Sequence, residues 1–258
     1  MTSLFACTHF FQPPVVSVPS SAAQRDIPPD IVFKRPDLPD TPEDGAALLV
    51  DKPSGPTSFD VIEIVREGTG VGTVGHAGTL DPMATGLLIL LVSRPATRLQ
   101  EAFMQLPKEY EGTVRFGERT PSLDTETDVV EETDPSHITR DDLEAIRPHF
   151  IGAIQQVPPM YSAVKVDGER LYEKARRGET VDRPPREVHI DQFELLEWTP
   201  PDLRFRVQCS KGTYIRSLAR DMGDELDVGG HLRALRRTSV GPYVTDNAWP
   251  LEALREAL

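Results

Sequence analysis

Cysteine is nearly absent from this chain: Cys7 and Cys209 are the only two in 258 residues. One pair cannot make a disulfide framework. With Cys7 in an N-terminal tail and Cys209 in a predicted strand, the usage fits a reduced, cytoplasmic compartment. Histidine is also sparse, six residues scattered without zinc-ligand spacing, so no metal is expected. Long hydrophobic runs are missing as well. The run Leu87–Val92 is far too short to span a bilayer, and no membrane contact is expected. The apolar patch Leu4-Phe5-Ala6 has neither a basic region before it nor a long apolar core after it, so no secretory signal is read. Basic charge is in deficit: 28 Lys and Arg stand against 41 Asp and Glu, a net charge of −13. Phosphate contacts need Lys and Arg, so this balance argues against a nucleic-acid partner.

What is present is enough to bury a substantial core, with 38% hydrophobic and 27% charged residues. The charge is unevenly spread. Acid gathers in the N-terminal tail (Asp37, Asp40, Glu43, Asp44), in Asp124–Asp128 and at Glu131-Glu132. Base gathers later, at Arg176, Arg177, Arg183, Arg186, Lys211, Arg216, Arg220, Arg233, Arg236 and Arg237. A local basic face on an acidic body is therefore expected, while the acidic runs read as solvated surface.

Residues 1–45 carry many prolines and no sustained periodicity, which predicts a disordered or loosely attached extension, with a folded unit over 46–258. Ala47–Val50 reads as a short strand running into a Pro/Gly turn, and Thr57 with Asp60 as the capping box of a helix to about Arg66. A helix is predicted over Ser93–Leu106, a strand over Tyr110–Phe116, and a loop over the acidic stretch 118–134. Thr139 and Asp142 cap a further helix, and a basic helix is predicted over Glu169–Arg177. Strands follow at Val188–Leu196 and Leu203–Cys209, then a helix carrying Leu218, Ala219, Met222 and Leu226. A short basic element at 231–240 and a helical end at Leu251–Leu258 close the chain. The alternating strands and irregular interleaving predict an α+β fold, a mixed, mostly antiparallel sheet with helices packed on it.

Two glycine-rich stretches compete for function. Gly70–Gly75 spells G-x-G-x-x-G, but a helix precedes it and a Gly/Pro-punctuated loop follows, so a dinucleotide site is rejected. Gly75–Gly86 sets His76 and Asp81 close together on an open loop anchored by the apolar run after it, a common setting for chemistry. The same residues also suit a plain turn with Asp81 as a cap and Pro82 beside it. The local pattern leaves both readings standing.

Three long stretches in order carry a resemblance. Leu49–Ser58, Gly75–Gly86 and Ser210–Leu218, supported by Pro159–Lys165 and Leu235-Arg236-Arg237, resemble the motifs of TruB-type tRNA pseudouridine synthases from about residue 45 onward. The resemblance implies the pseudouridine synthase fold and conversion of uridine 55 in the tRNA T-loop to pseudouridine, with no cofactor. It implies that Asp81 is the catalytic carboxylate, Arg216 its cationic partner and Tyr110 the aromatic that stacks on the target base. Tyr214 and Leu235 resemble walls of the site, and His76 the residue that fills the space left by the flipped base. Lys52 and Lys211 read as structural or phosphate-contacting residues rather than catalysts. The implied partner is the tRNA T-stem-loop, bound by a monomer without a protein partner and recognised by shape and splayed bases, which a modest basic face suits. Relative to many bacterial members, the expected domain set lacks the small C-terminal RNA-binding domain. Two other readings remain: a T-arm binding or tRNA-folding protein, and a guide-RNA-dependent pseudouridine synthase subunit.

Overall fold

Leu87–Val92 is fully buried because it is the middle of the sheet, covered on both faces. The computed structural model describes residues 26–258 apart from 163, 164, 167 and 180. In it the run lies in strand β4 (Thr85–Val92), antiparallel to β2 (Ala46–Lys52). Leu48, Val50, Leu88, Leu90 and Val92 join one apolar cluster, and Leu49, Leu87, Ile89 and Leu91 join a second. A strand covered on both faces reads as continuous apolar sequence rather than alternation. Each such side chain contributes about 1.5–3 kcal/mol on full burial.

The remaining elements, in chain order, are β1 (Val32–Phe33), α1 (Ser58–Thr69), β3 (Val74–His76), α2 (Ser93–Thr97), α3 (Gln100–Gln105), β5 (Lys108–Phe116), β6 (Glu118–Arg119) and β7 (Glu131–Glu132). They continue with α4 (Arg140–Ile146), β8 (Gly152–Gln156), β9 (Lys165–Val166), β10 (Glu169–Arg170), α5 (Leu171–Arg176), β11 (Arg186–Thr199) and β12 (Asp202–Cys209). Last come α6 (Ile215–Glu225), β13 (Gly230–Val240), β14 (Tyr243–Val244), β15 (Trp249–Pro250) and α7 (Leu251–Ala257). An 11-stranded sheet has the main order β1-β2-β4-β13-β5-β12-β11-β8, with β3 on β4, β14 on β13 and β15 on β2. Its β1–β2, β4–β13 and β2–β15 pairs are parallel and the others antiparallel, the mixed, mostly antiparallel α+β sheet that was expected.

Both predicted capping boxes form, Thr57 with Asp60 and Thr139 with Asp142. Gly70 ends α1 in the left-handed conformation and Gly75 lies in β3, so the G-x-G-x-x-G pattern spans a helix end and a strand. The helix expected over 93–106 is two short ones, and that expected from Glu169 begins two residues later, after a strand.

Three expectations need correction. Residues 1–25 of the predicted extension lie outside the described residues. Residues 26–45, however, are tied in: Ile27 is buried, and Val32 and Phe33 pair with Ala47 and Leu48. The short basic element at 231–240 is an 11-residue central strand, β13, between β4 and β5. It approaches β4 so closely that a Cβ at Gly86 would lie 2.2 Å from the Arg237 carbonyl oxygen, and Gly86 has φ of 101°. Glycine is required there on both counts. The acidic stretch 118–134 is not wholly solvated, since Leu123 accepts from the Leu232 amide at 2.9 Å and Asp124 is 1% exposed.

Candidate active site

Asp81 is held by the segments on either side of it. Ser58, in the first turn of α1, donates to the Leu80 carbonyl at 3.0 Å and accepts from the Leu80 amide at 2.9 Å. The Pro82 carbonyl accepts from the Gly55 amide at 2.9 Å and from Lys52 Nζ at 3.2 Å. The Ala84 amide donates to the Asp81 carbonyl at 3.0 Å, closing a turn with Pro82 at its second position. The loop is thus a proline turn and a candidate site at once. The turn aims the carboxylate, and the Leu49–Ser58 motif supplies its clamps.

The carboxylate meets Arg216, the second residue of α6. Arg216 Nε lies 2.9 Å from Asp81 Oδ2 and Nη2 lies 3.1 Å from Oδ1, a two-point contact. The guanidinium side chain is 6% exposed and the Asp81 side chain 33%, so the acid reaches solvent and the base lies behind it. Arg216 also donates to the carbonyls of Ser122 at 3.0 Å and Tyr161 at 2.8 Å. Burial raises the Asp81 carboxyl above the ordinary value of 3.8, Arg216 opposes that rise, and Asp124 adds to it.

Asp124 was not singled out from the sequence. Its Oδ2 is 3.6 Å from Arg216 Nε and has no hydrogen-bond partner, while Oδ1 accepts from the Glu126 amide at 2.9 Å. Arg216 therefore sits between two carboxylates, one facing the cleft and one sealed below it.

The cleft, about 280 Å³, is lined by Asp81 and Arg216 together with Tyr110, Tyr214, Leu235 and Lys211. Tyr110 comes from β5, and burial pushes its phenol up. Tyr214 caps α6, its main chain clamped by Gln156 of β8, which donates to its carbonyl at 3.0 Å and accepts from its amide at 2.7 Å. Leu235 sits on β13 opposite Gly112, and Lys211 pairs with Glu101 at 3.0 Å on the exposed rim.

Two candidates lie elsewhere. His76 is half-buried on β3 and does not line the cleft. Its Nδ1 has no partner, and burial, then Arg237, lowers its pKa. Lys52 is fully buried, its Nζ donating to the carbonyls of Pro53 at 2.8 Å, Pro56 at 2.7 Å and Pro82 at 3.2 Å. Of the two readings given for it, this burial favours the structural one over phosphate contact. Burial lowers its pKa to about 8.

The expected basic face is also corrected. Arg236 makes a two-point pair with Asp51 at 3.0 and 2.7 Å, Arg233 pairs with Asp202, and Arg177 pairs with Glu169 and Glu179. Arg237 is 1% exposed. Strand alternation sends the side chains of neighbouring residues to opposite faces, which separates Arg236 from Arg237. The side chain of Arg176 lies outside the described residues. Among the described residues no group of His, Cys, Asp and Glu could hold a metal ion, and no helix is long and apolar enough to cross a membrane.

Comparison with known proteins gives this geometry its context. The family model of the TruB family pseudouridylate synthase N-terminal domain matches residues 66–215. That of the tRNA pseudouridylate synthase B C-terminal domain matches 216–258, a stretch whose strands belong to the same sheet. The chain is 48% identical over 220 residues to the tRNA pseudouridine synthase B of Streptomyces avermitilis, covering 82% of this chain and 73% of that protein. It is 45% identical over 211 residues to that of Opitutus terrae, covering 82% and 87%. A solved Cbf5-Nop10-Gar1 complex contains a chain matching at TM-score 0.66 and 30% identity, over 89% of this chain and 59% of its own length. Sheet and cleft together are those of a pseudouridine synthase, an isomerase. The chain belongs to the TruB family of pseudouridylate synthases.

Proposed function

We propose that this protein isomerises uridine 55 of the tRNA T-loop to pseudouridine, with residues 46–258 as the catalytic unit. It acts as a cytoplasmic monomer and needs no cofactor. The relatives named tRNA pseudouridine synthase B support tRNA as the substrate. The observation that carries the reading is the Asp81 carboxylate, open to the cleft and gripped at two points by a buried Arg216.

The target base lies inside a folded loop, so it must be flipped out, at a cost of roughly a few kcal/mol in lost stacking. Tyr110 stacks on the flipped base, and Tyr214 and Leu235 wall the pocket. Asp81 stands beside the sugar while the glycosidic bond breaks, the base turns and a carbon–carbon bond forms. The product has the atoms of the substrate, so nothing is oxidised or reduced. His76, outside the cleft on the strand leading into the loop, serves the RNA side, where the base leaves a gap. Lys211 meets phosphate at the rim.

The carboxylate must be ionised to act. Activity is therefore expected to fall as pH drops through the raised Asp81 pKa, giving an acid limb above the 3.8 of an ordinary aspartate. A single-turnover pH profile checks this. An acid limb at or below that value would put another group in charge.

Apart from Lys211, which would exchange its Glu101 pair for phosphate, the phosphate contacts should come from cations without acidic partners. Arg98 is exposed, and among the described residues it forms no ion pair, unlike Arg233 and Arg236. Arg98→Gln is expected to reduce the salt slope of tRNA binding by about one unit, and Arg233→Gln by less. Equal slopes for wild type and Arg98→Gln would move the RNA face elsewhere.

A guide-dependent subunit is the second reading, supported by the likeness to the Cbf5-Nop10-Gar1 complex. The two differ in one experiment, the purified protein mixed with a bare T-arm stem-loop. Conversion without a guide supports the first reading, and conversion only with one supports the second.

A further inference from the structure

Arg237 is a buried cation to which the reaction outlined above assigns no part. It is 1% exposed, and among the described residues it has no carboxylate in ion-pair contact. An unpaired buried charge is costly, so its donors must be engaged. They are engaged at the active site. Nε donates to the Leu87 carbonyl at 2.6 Å and Nη2 to the Gly78 carbonyl at 3.0 Å, so one guanidinium ties together both ends of the loop segment that carries Asp81. Arg237 also stands directly across β13–β5 from Tyr110, on the same side of the sheet, and both side chains border the same cleft. The main chain of Arg237 packs against Gly86 at the far end of the same loop.

We propose that Arg237 is a positioning residue: it locks the Tyr110 phenol and the Asp81 loop into one rigid unit, fixing the base-stacking ring relative to the carboxylate. This rests on the reading of Tyr110 as the residue that packs on the target base. Arg237 borders the cleft but is only 1% exposed, so its effect falls on the reaction step rather than on capture of the RNA. A misplacement of about 1 Å at a reacting centre is enough to cost about 10²-fold in rate. Lysine keeps the charge but cannot reproduce two separately aimed contacts while filling the same space beside Tyr110, since its donors leave from one atom.

The test combines kinetics with a tyrosine signal. Arg237→Lys and Arg237→Gln are compared with wild type in single-turnover conversion of a T-arm stem-loop, in affinity for that RNA, and in NMR of ring-carbon-labelled tyrosine. The Tyr110 signal is assigned by its loss in Tyr110→Phe. Both Arg237 variants are expected to be slower by about 10²-fold, to bind the stem-loop within about threefold of wild type, and to shift the Tyr110 signal. If Arg237→Gln does not fold, the charge-conserving Arg237→Lys carries the comparison alone. An unshifted Tyr110 signal, or a folded variant with wild-type rate, overturns the proposal. So does a weakening of binding that accounts for the whole loss of rate. Failure of the functional reading looks different, because the wild type itself would then leave the stem-loop unconverted while the tyrosine signal still moved.

Discussion

Asp81→Asn is expected to slow pseudouridine formation by at least about 10⁴-fold, the scale of losing a central catalytic group, while the protein stays folded and still binds its RNA. The substitution keeps shape and one carbonyl acceptor for Arg216, but replaces the charge and the second acceptor with an amide NH2. Stability should survive because Arg216 lies between two carboxylates, Asp81 at 2.9 Å and Asp124 at 3.6 Å. Removing one charge leaves the guanidinium with a counterion. The linkage has the same sign. A carboxyl whose pKa is raised on folding contributes stability that is present below the unfolded value and lost as pH rises through the folded value. At neutral pH an uncharged residue at position 81 therefore forfeits no stabilisation from that source. Thermal melting and stem-loop affinity, measured beside the rate, separate this outcome from simple unfolding. A variant that converts RNA at the wild-type rate would remove Asp81 from the chemistry.

Arg216→Met is expected to be damaging in a different way, lowering stability by about 3–5 kcal/mol along with activity. The side chain is 6% exposed, so its loss strands Asp124 in the interior without its cation and removes the donor that Arg216 gives to the carbonyls of Ser122 and Tyr161. Arg216→Lys should recover part of the stability and little of the rate. A lysine ammonium is a single point that cannot grip both Asp81 oxygens while reaching two carbonyls. Urea unfolding gives the first quantity and single-turnover assays the second. Wild-type rate in Arg216→Lys would mean that the two-point grip is not what orients Asp81.

Local patterns revealed much of this site. The proline–glycine turn after β2, the glycine-rich loop before β4 and the Ser210–Leu218 stretch each stand out in the sequence, and Tyr110 sits on a strand with clear alternation. Their meeting at one cleft follows from the resemblance and from the sheet order, not from any one segment. Asp124 could not be found locally. It lies in an acidic run, the usual mark of solvated surface, and its burial depends on a contact between Leu123 and Leu232 from distant parts of the chain. The separation of Arg236 from Arg237 was hidden for another reason. β13 carries register shifts at 232–234 and 237–239, which break the period of two that would have identified a strand and its inward side. β8 escaped notice because Gly152–Gln156 has little apolar content, yet its Gln156 clamps the loop at Tyr214. The net charge of −13 was a weak guide to the charged surface, because many arginines are spent on acids of the same chain.

The central claim is that Asp81 isomerises one uridine of the T-loop, and site-resolved pseudouridine mapping of tRNA tests it most directly. Cells lacking this protein are complemented with wild type or with Asp81→Asn. The account predicts pseudouridine at position 55 with the wild type and unmodified uridine there with the variant. Pseudouridine at that position in both, or in neither, would contradict it.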